Sequence, residues 1–135
     1  MRAFIVNLEN RPGTLADLAE ALGERGINIS GVAGTTWDNE GAIALITNDD
    51  SGAQTVLEER EVGYRDVEIV SANLDDRPGT LGAAARRMAD RGVNVEVIMP
   101  TGVTGGRVTV AFGVDDPAGA REALGELAGS GPRAI

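Results

Sequence analysis

The sequence predicts an α+β fold made of two βαββαβ modules in tandem, with antiparallel sheets and helices on one face. Three observations predict it. Arg11-Pro12-Gly13-Thr14-Leu15 recurs unchanged as Arg77-Pro78-Gly79-Thr80-Leu81, and Arg25-Gly26-Ile27-Asn28-Ile29 returns as Arg91-Gly92-Val93-Asn94-Val95 at the same offset of 66 residues. Around both motifs, apolar runs and helical patterns follow one another in the same order. Matched segments at a fixed spacing define a repeat before any secondary structure is assigned, which sets the modules at residues 1–66 and 67–135. Halves of this size bury little surface alone and are expected to pair.

Each element has its own signal. Ala3 to Leu8 is a short apolar run bounded by the turn residues Asn10, Pro12 and Gly13, and reads as a buried strand; Glu68 to Leu74 is its counterpart. Leu15, Leu18, Ala19 and Leu22 then fall at helical spacing, as do Leu81, Ala84, Ala85 and Met88, so each helix has one apolar stripe. Gly26 and Gly92 stand where left-handed C-terminal caps are expected. Ile27 to Ala33 and Val93 to Met99 read as second strands, followed by polar or Gly-rich connections over Thr35 to Gly41 and Thr101 to Gly106. Third strands are expected at Ala42 to Thr47 and Arg107 to Val114, the latter alternating with period two.

Asp49-Asp50-Ser51 and Asp115-Asp116-Pro117 supply capping chemistry for second helices over Gly52 to Glu61 and Ala118 to Ala128. A fourth strand would complete a ferredoxin-like sandwich. Only Tyr64 to Val67 and Pro132 to Ile135 remain for it, so both fourth strands are expected to be short or missing. A stunted edge leaves backbone groups that another module or chain can cover, and a homodimer is therefore expected.

Composition excludes several function classes. A net charge of -9, with 12 basic residues scattered among 21 acidic ones, argues against nucleic acid, whose phosphates demand clustered cations. The chain has no Cys and no His, which removes thiolate nucleophiles, imidazole bases and nearly all zinc or iron sites, so no cofactor or metal is expected and an enzyme is disfavoured. Aromatic residues make up only 3%, too few for an RNA-stacking sheet. No signal peptide or membrane span is visible, and a cytoplasmic protein is expected.

Leu8-Glu9-Asn10-Arg11-Pro12-Gly13-Thr14-Leu15 with Gly26-Ile27-Asn28-Ile29, and Leu74-Asp75-Asp76-Arg77-Pro78-Gly79-Thr80-Leu81 with Gly92-Val93-Asn94-Val95, resemble the ACT domain signature. The resemblance covers nearly the whole chain, twice. It implies βαββαβ modules that sense amino acids, in a small stand-alone protein of two such modules. It also implies a ligand held between paired modules, by this loop and by strand residues of the neighbour. Carried over residue by residue, it names Asn10, Arg11, Gly13, Thr14, Leu15, Asn28 and Ile29 in copy one. In copy two it names Asp76, Arg77, Gly79, Thr80, Leu81, Asn94 and Val95.

The physics of the loop agrees. A strand-to-helix junction aims unpaired backbone N–H groups outward, and the helix dipole favours an anion there, so an amino acid carboxylate is a natural guest. The dipole contributes only ~0.3 to 2 kcal/mol, and added hydrogen bonds must do most of the binding. Acceptors for an ammonium group are available in Asn10 or Asp76 and in Asn28 or Asn94.

Plainer roles stand beside these. Pro12 and Pro78 read as turn residues. Asn28 and Asn94 serve either a ligand or the turn backbone. Arg11 and Arg77 read more readily as surface residues, Thr14 and Thr80 as helix starts, and Leu15 and Leu81 as core. The paired aspartates 49–50, 75–76 and 115–116 precede helices, where capping explains them. Trp37, the only Trp, either lines a pocket or interface or packs on its own module. The function expected is a non-catalytic regulator that binds a free amino acid between modules and signals to a partner protein. The alternative is an interaction module without a ligand, acting as an accessory subunit.

Overall fold

In the computed structural model, which describes residues 1–129, the periodic patterns become six strands and four α-helices. The chain divides into two compact units that change over between Asp66 and Val67.

The first unit runs β1 (Arg2–Glu9), α1 (Thr14–Glu24), β2 (Ile29–Trp37), β3 (Glu40–Thr47) and α2 (Asp50–Glu59). β1 pairs antiparallel with β3, with Phe4 opposite Leu45 and Glu9 opposite Glu40. β3 pairs on its other side with β2, with Trp37 opposite Glu40 and Ile29 opposite Thr47. Phe4 and Val6 of β1, and Ile43 and Leu45 of β3, face Leu18, Leu22, Ala53, Val56 and Leu57 of the helices in one buried cluster. Alternation along the strands and helical spacing along the helices put these residues on facing surfaces.

The second unit follows the same plan. β4 (Tyr64–Asp75) leads to α3 (Thr80–Asp90), β5 (Val95–Thr104), β6 (Arg107–Val114), α4 (Pro117–Leu124) and a short 3-10 turn at Gly125–Leu127. β6 lies between β4 and β5, antiparallel to both. Val70, Ala72, Leu74, Val110, Phe112 and Val114 meet Ala84, Met88, Ala120 and Leu124 in the second core.

The fourth strands are short for a specific reason. In the first unit the place beside β1 is taken by the start of β4, where the Asn7 N–H donates to the Gly63 carbonyl at 2.8 Å. β4 then continues as the opening strand of the second unit, so one 12-residue strand serves both copies. In the second unit a single bridge joins Ala128 to Ala72, and the Gly129 N–H donates to the Ser71 carbonyl at 2.8 Å. Pro132 to Ile135, the other expected fourth strand, lies outside the described residues.

Helix ends follow their residues. Gly26 and Gly92 hold φ of 70° and 72°. The N–H of Ile27 reaches the Leu22 carbonyl at 3.0 Å, and that of Val93 reaches Met88 at 3.0 Å, the closing bonds of a Schellman end. The Asp49 and Asp116 carboxylates accept from the N–H groups of Gly52 and Gly119, each at 3.0 Å.

Three expectations are corrected. The expected loops Thr35 to Gly41 and Thr101 to Gly106 are mostly strand. The turns shrink to Asp38-Asn39 and Gly105-Gly106, whose left-handed residues Asp38, Gly105 and Gly106 allow a tight hairpin. Asp75-Asp76 does not cap a helix; Asp75 ends β4, and the Asp76 N–H donates to the Gly106 carbonyl at 2.9 Å. Leu15 and Leu81, expected in the core, are 53% and 46% exposed, in the first turns of their helices and outside both buried clusters.

Candidate functional site

The repeated loop is built the same way twice. Gly13 and Gly79 precede the helices at φ 94° and 93°, a region that suits glycine alone, and neither helix has a side-chain cap. The first-turn N–H groups are therefore left for an outside acceptor. Thr14 and Thr80 do not cap. Their hydroxyls donate backwards, Thr14 Oγ1 to the carbonyls of Glu9 at 3.0 Å and Arg11 at 3.2 Å. Thr80 Oγ1 does the same to Asp75 at 2.8 Å and Arg77 at 3.2 Å. Each threonine thus closes its loop into a ring and keeps its own lone pairs free to accept.

The loop is also tied to the hairpin turn. The Asn10 N–H donates to the Asn39 carbonyl at 3.1 Å, and Asn10 Nδ2 to the Asp38 carbonyl at 2.9 Å. Asp76 keeps only the backbone half of this tie, since a carboxylate has no amide to donate. Arg11 Nε reaches Glu9 Oε2 at 2.8 Å, and Arg77 Nε reaches Asp75 Oδ2 at 3.7 Å. At such exposed positions these pairs orient the guanidinium and contribute little stability.

Between loop and hairpin each unit has an open cavity. In the first it is about 370 Å³, lined by Asn10, Arg11, Thr14 and Leu15 from the loop and by Gly34, Thr35, Thr36, Ala42 and Ile43 from the strands. In the second it is about 460 Å³, lined by Asp76, Arg77, Gly79, Thr80 and Leu81 with Ile98, Met99, Pro100, Val108 and Val110. Both volumes lie within the ~300–1,000 Å³ usual for small-molecule sites. The second is the more apolar, and the exposed leucines now have a place, as the wall nearest the helix start.

The strand asparagines are elsewhere. The Asn28 N–H donates to Asn48 Oδ1 at 2.9 Å, and its carbonyl accepts from the Asn48 N–H at 3.1 Å. Asn94 is held likewise, its N–H donating to Asp115 Oδ1 at 2.9 Å. Ile29 and Val95 pack partly buried against their cores. Along β3 the partner of Ile29 is Thr47, whereas the loop lies by Glu40; at ~3.3 Å per residue the two ends are roughly 20 Å apart. No single unit brings Asn28, Ile29, Asn94 or Val95 to its own loop. The strand residues that do line the cavities were legible only as a polar connection or as core, because strand length and register decide which end of the sheet they reach.

Loop, helix start and hairpin, present in both modules, define a pair of ferredoxin-like sandwiches with matching recesses. Residues 3–62 match the family model of the ACT domain. The matched stretch is the first module, and the second repeats its motif, element order and pairing. Among solved structures the chain is similar to a protein from Bacteroides thetaiotaomicron, at 21% identity and a TM-score of 0.78 over 93% of this chain and 86% of that one. It is also similar to the ligand-free regulatory subunit of aspartate kinase from Thermus thermophilus, at 19% identity and a TM-score of 0.67 over 93% and 90%. The same subunit from Thermus flavus matches at 21% identity and a TM-score of 0.62 over 93% and 92%. These likenesses are of fold. No curated protein matches the sequence.

Proposed function

We propose that the protein is a non-catalytic regulator that binds a free amino acid at the recess beneath each repeated loop and transmits occupancy to a partner protein. The observation that carries this reading is the exposure of Leu15 and Leu81 at cavities that they line together with Arg11 and Thr14, or Arg77 and Thr80, and with residues of the strands. A carboxylate is matched by the N–H groups and Arg11 or Arg77, and an apolar side chain by the leucine and strand wall. Asn10 Oδ1 or the Asp76 carboxylate faces an ammonium group. Two or three charge-assisted bonds at ~1.5–3 kcal/mol each, with the apolar wall, give about micromolar affinity.

Asn28 and Asn94 lie too far from their own loops, so within this reading they act only from a neighbouring module. A homodimer fits that reading. β2 and β5 are edge strands of their units, with Val32 and Val103 exposed on them. Aspartate kinase regulatory subunits share the fold, and a biosynthetic enzyme or regulator of the cytoplasm is the partner class proposed.

A thermal-shift screen against the twenty amino acids tests the reading, since a ligand selective for the native state adds RT ln(1 + [L]/Kd) to stability. A rise with one amino acid or a related few is expected. A flat response over the set removes the amino-acid reading and leaves the ligand-free interaction module.

A further inference from the structure

We infer that the first module carries a second site, on the sheet face away from its helices, that takes the guanidinium group of an arginine. Phe4 and Val6 point into the helix-covered core, so by alternation Asn7 and Glu9 of β1 point to the opposite face. Glu9 is directly opposite Glu40, and Glu40 directly opposite Trp37. Residues opposite one another in antiparallel strands project from the same face, so Glu9, Glu40 and Trp37 form one row across three strands, and Asn7, Ala42 and Thr35 form the next. These six residues line a cavity of about 480 Å³ that adjoins the recess, sharing Glu9, Thr35 and Ala42 with it, while Asn7, Glu40 and Trp37, the last 83% exposed, belong to this cavity and not to the recess.

The second module shows what this row lacks. There the corresponding positions are Asp75, Arg107 and Thr104, in the same cross-strand register. Arg107 Nε lies 3.3 Å from Asp75 Oδ1, while Arg77 approaches the other oxygen at 3.7 Å. The acidic strand end in that module is thus flanked by two guanidinium groups of its own chain. In the first module Arg11 is the counterpart of Arg77 and sits on Glu9 Oε2 at 2.8 Å. The counterpart of Arg107 is Glu40, and among the described residues no cation pairs with it.

Like charges directly opposite on a sheet are destabilising, and here they stand next to an indole with an open face. A guest cation relieves the repulsion. Of the biological cations, a guanidinium suits best: it is planar, stacks on Trp, and forks onto a carboxylate through two N–H groups. The guest would stand where Arg107 stands in the other copy.

Because Trp37 is the only Trp, intrinsic fluorescence reads this site alone. N-acetyl-argininamide is titrated into the full chain, with the isosteric but uncharged N-acetyl-citrullinamide as control. A saturable change with the first and none with the second is expected. Glu40→Gln should weaken the response roughly ten-fold or more, the loss of one charge-assisted contact. Glu40→Arg, which copies the second module, should abolish it with an unchanged circular dichroism spectrum. Leu15→Ala should leave it intact, which separates this site from the amino-acid recess. Tighter binding of blocked than of free arginine assigns the guest to a protein segment, and the reverse to the free amino acid. Equal responses to the arginine and citrulline compounds, a full response in folded Glu40→Arg, or saturation by calcium in place of arginine would each overturn the inference.

Discussion

At the scale of single residues, Leu15 and Leu81 are the informative pair. Helical spacing assigns them to the core, yet they are half exposed at the mouths of matching cavities. A surface leucine contributes little to folding, so Leu15→Ala should change unfolding free energy by about 0.5 kcal/mol or less in a urea titration. The same change should reduce any amino-acid-induced rise in melting temperature. A loss of several kcal/mol would return Leu15 to the core and weaken the proposed site. Gly13 is constrained by conformation and not by space, since a side chain there meets nothing within 4 Å but would sit at φ 94°. Gly13→Val should therefore cost about 1–3 kcal/mol of stability through backbone strain alone. Gly13 is consequently a poor probe of ligand contact, and Leu15 is a better one.

Elements show where local signals suffice. Asp49 and Asp116 stand just before helices and cap them in the structure, one oxygen to the N–H three residues on. Asp116→Ala should cost about 0.5–2 kcal/mol, measured by thermal or urea unfolding, and Asp115→Ala should act separately by releasing the Asn94 N–H. The Asp75-Asp76 pair has the same composition and a different role. Its following helix begins at a left-handed glycine, and nothing in the dipeptide reveals that the cap has moved. Strand length was also illegible: polar Thr35, Thr36 and Asn39 read as a connection, although tight turns at left-handed residues let β2 and β3 run on. Gly113 of β6 is a close-approach glycine, and an added Cβ would meet Val67 Cγ1 at 2.8 Å. Gly113→Ala should destabilise by about 1–3 kcal/mol, an overpacking penalty that Val67→Ala in the same chain should partly relieve.

For the whole molecule, each unit has its own core but β4 belongs to both. A fragment ending at Asp66 keeps the residues that flank β1, yet they become a chain end, which frays. The isolated first unit should therefore unfold at a lower urea concentration than the intact protein; an equal midpoint would show that the continuous strand adds nothing. Tyr64, at the start of that strand, packs edge-on to Phe4 with ring centroids 6.0 Å apart and donates to Glu58 Oε1 at 2.9 Å. That hydrogen bond, with burial adding to it, raises the phenol above its ordinary 10.0. The folded state therefore holds the proton more tightly than the unfolded chain. The resulting stability is complete below pH 10 and is lost as pH rises through the folded value. Tyr64→Phe should remove this alkaline component of the stability profile and leave the profile near neutrality with the same shape.

The duplicated βαββαβ plan, the facing apolar stripes, the left-handed helix ends and two of the caps are all written in the order of the residues. Each of these depends on residues within a turn or two of one another, and period and side-chain chemistry specify them locally. Which residues meet at the loop depends on strand pairing over long sequence separations. Strand length and cross-strand register carried Asn28 and Asn94 to the far end of the sheet and brought Thr35, Ala42, Ile98 and Val108 near. The same register set Glu40 where the other copy has Arg107, although the repeat offset of 66 aligns Glu40 with Gly106. One extra residue before the second turn shifts that alignment, and pairing between strands distant in sequence is what reveals it.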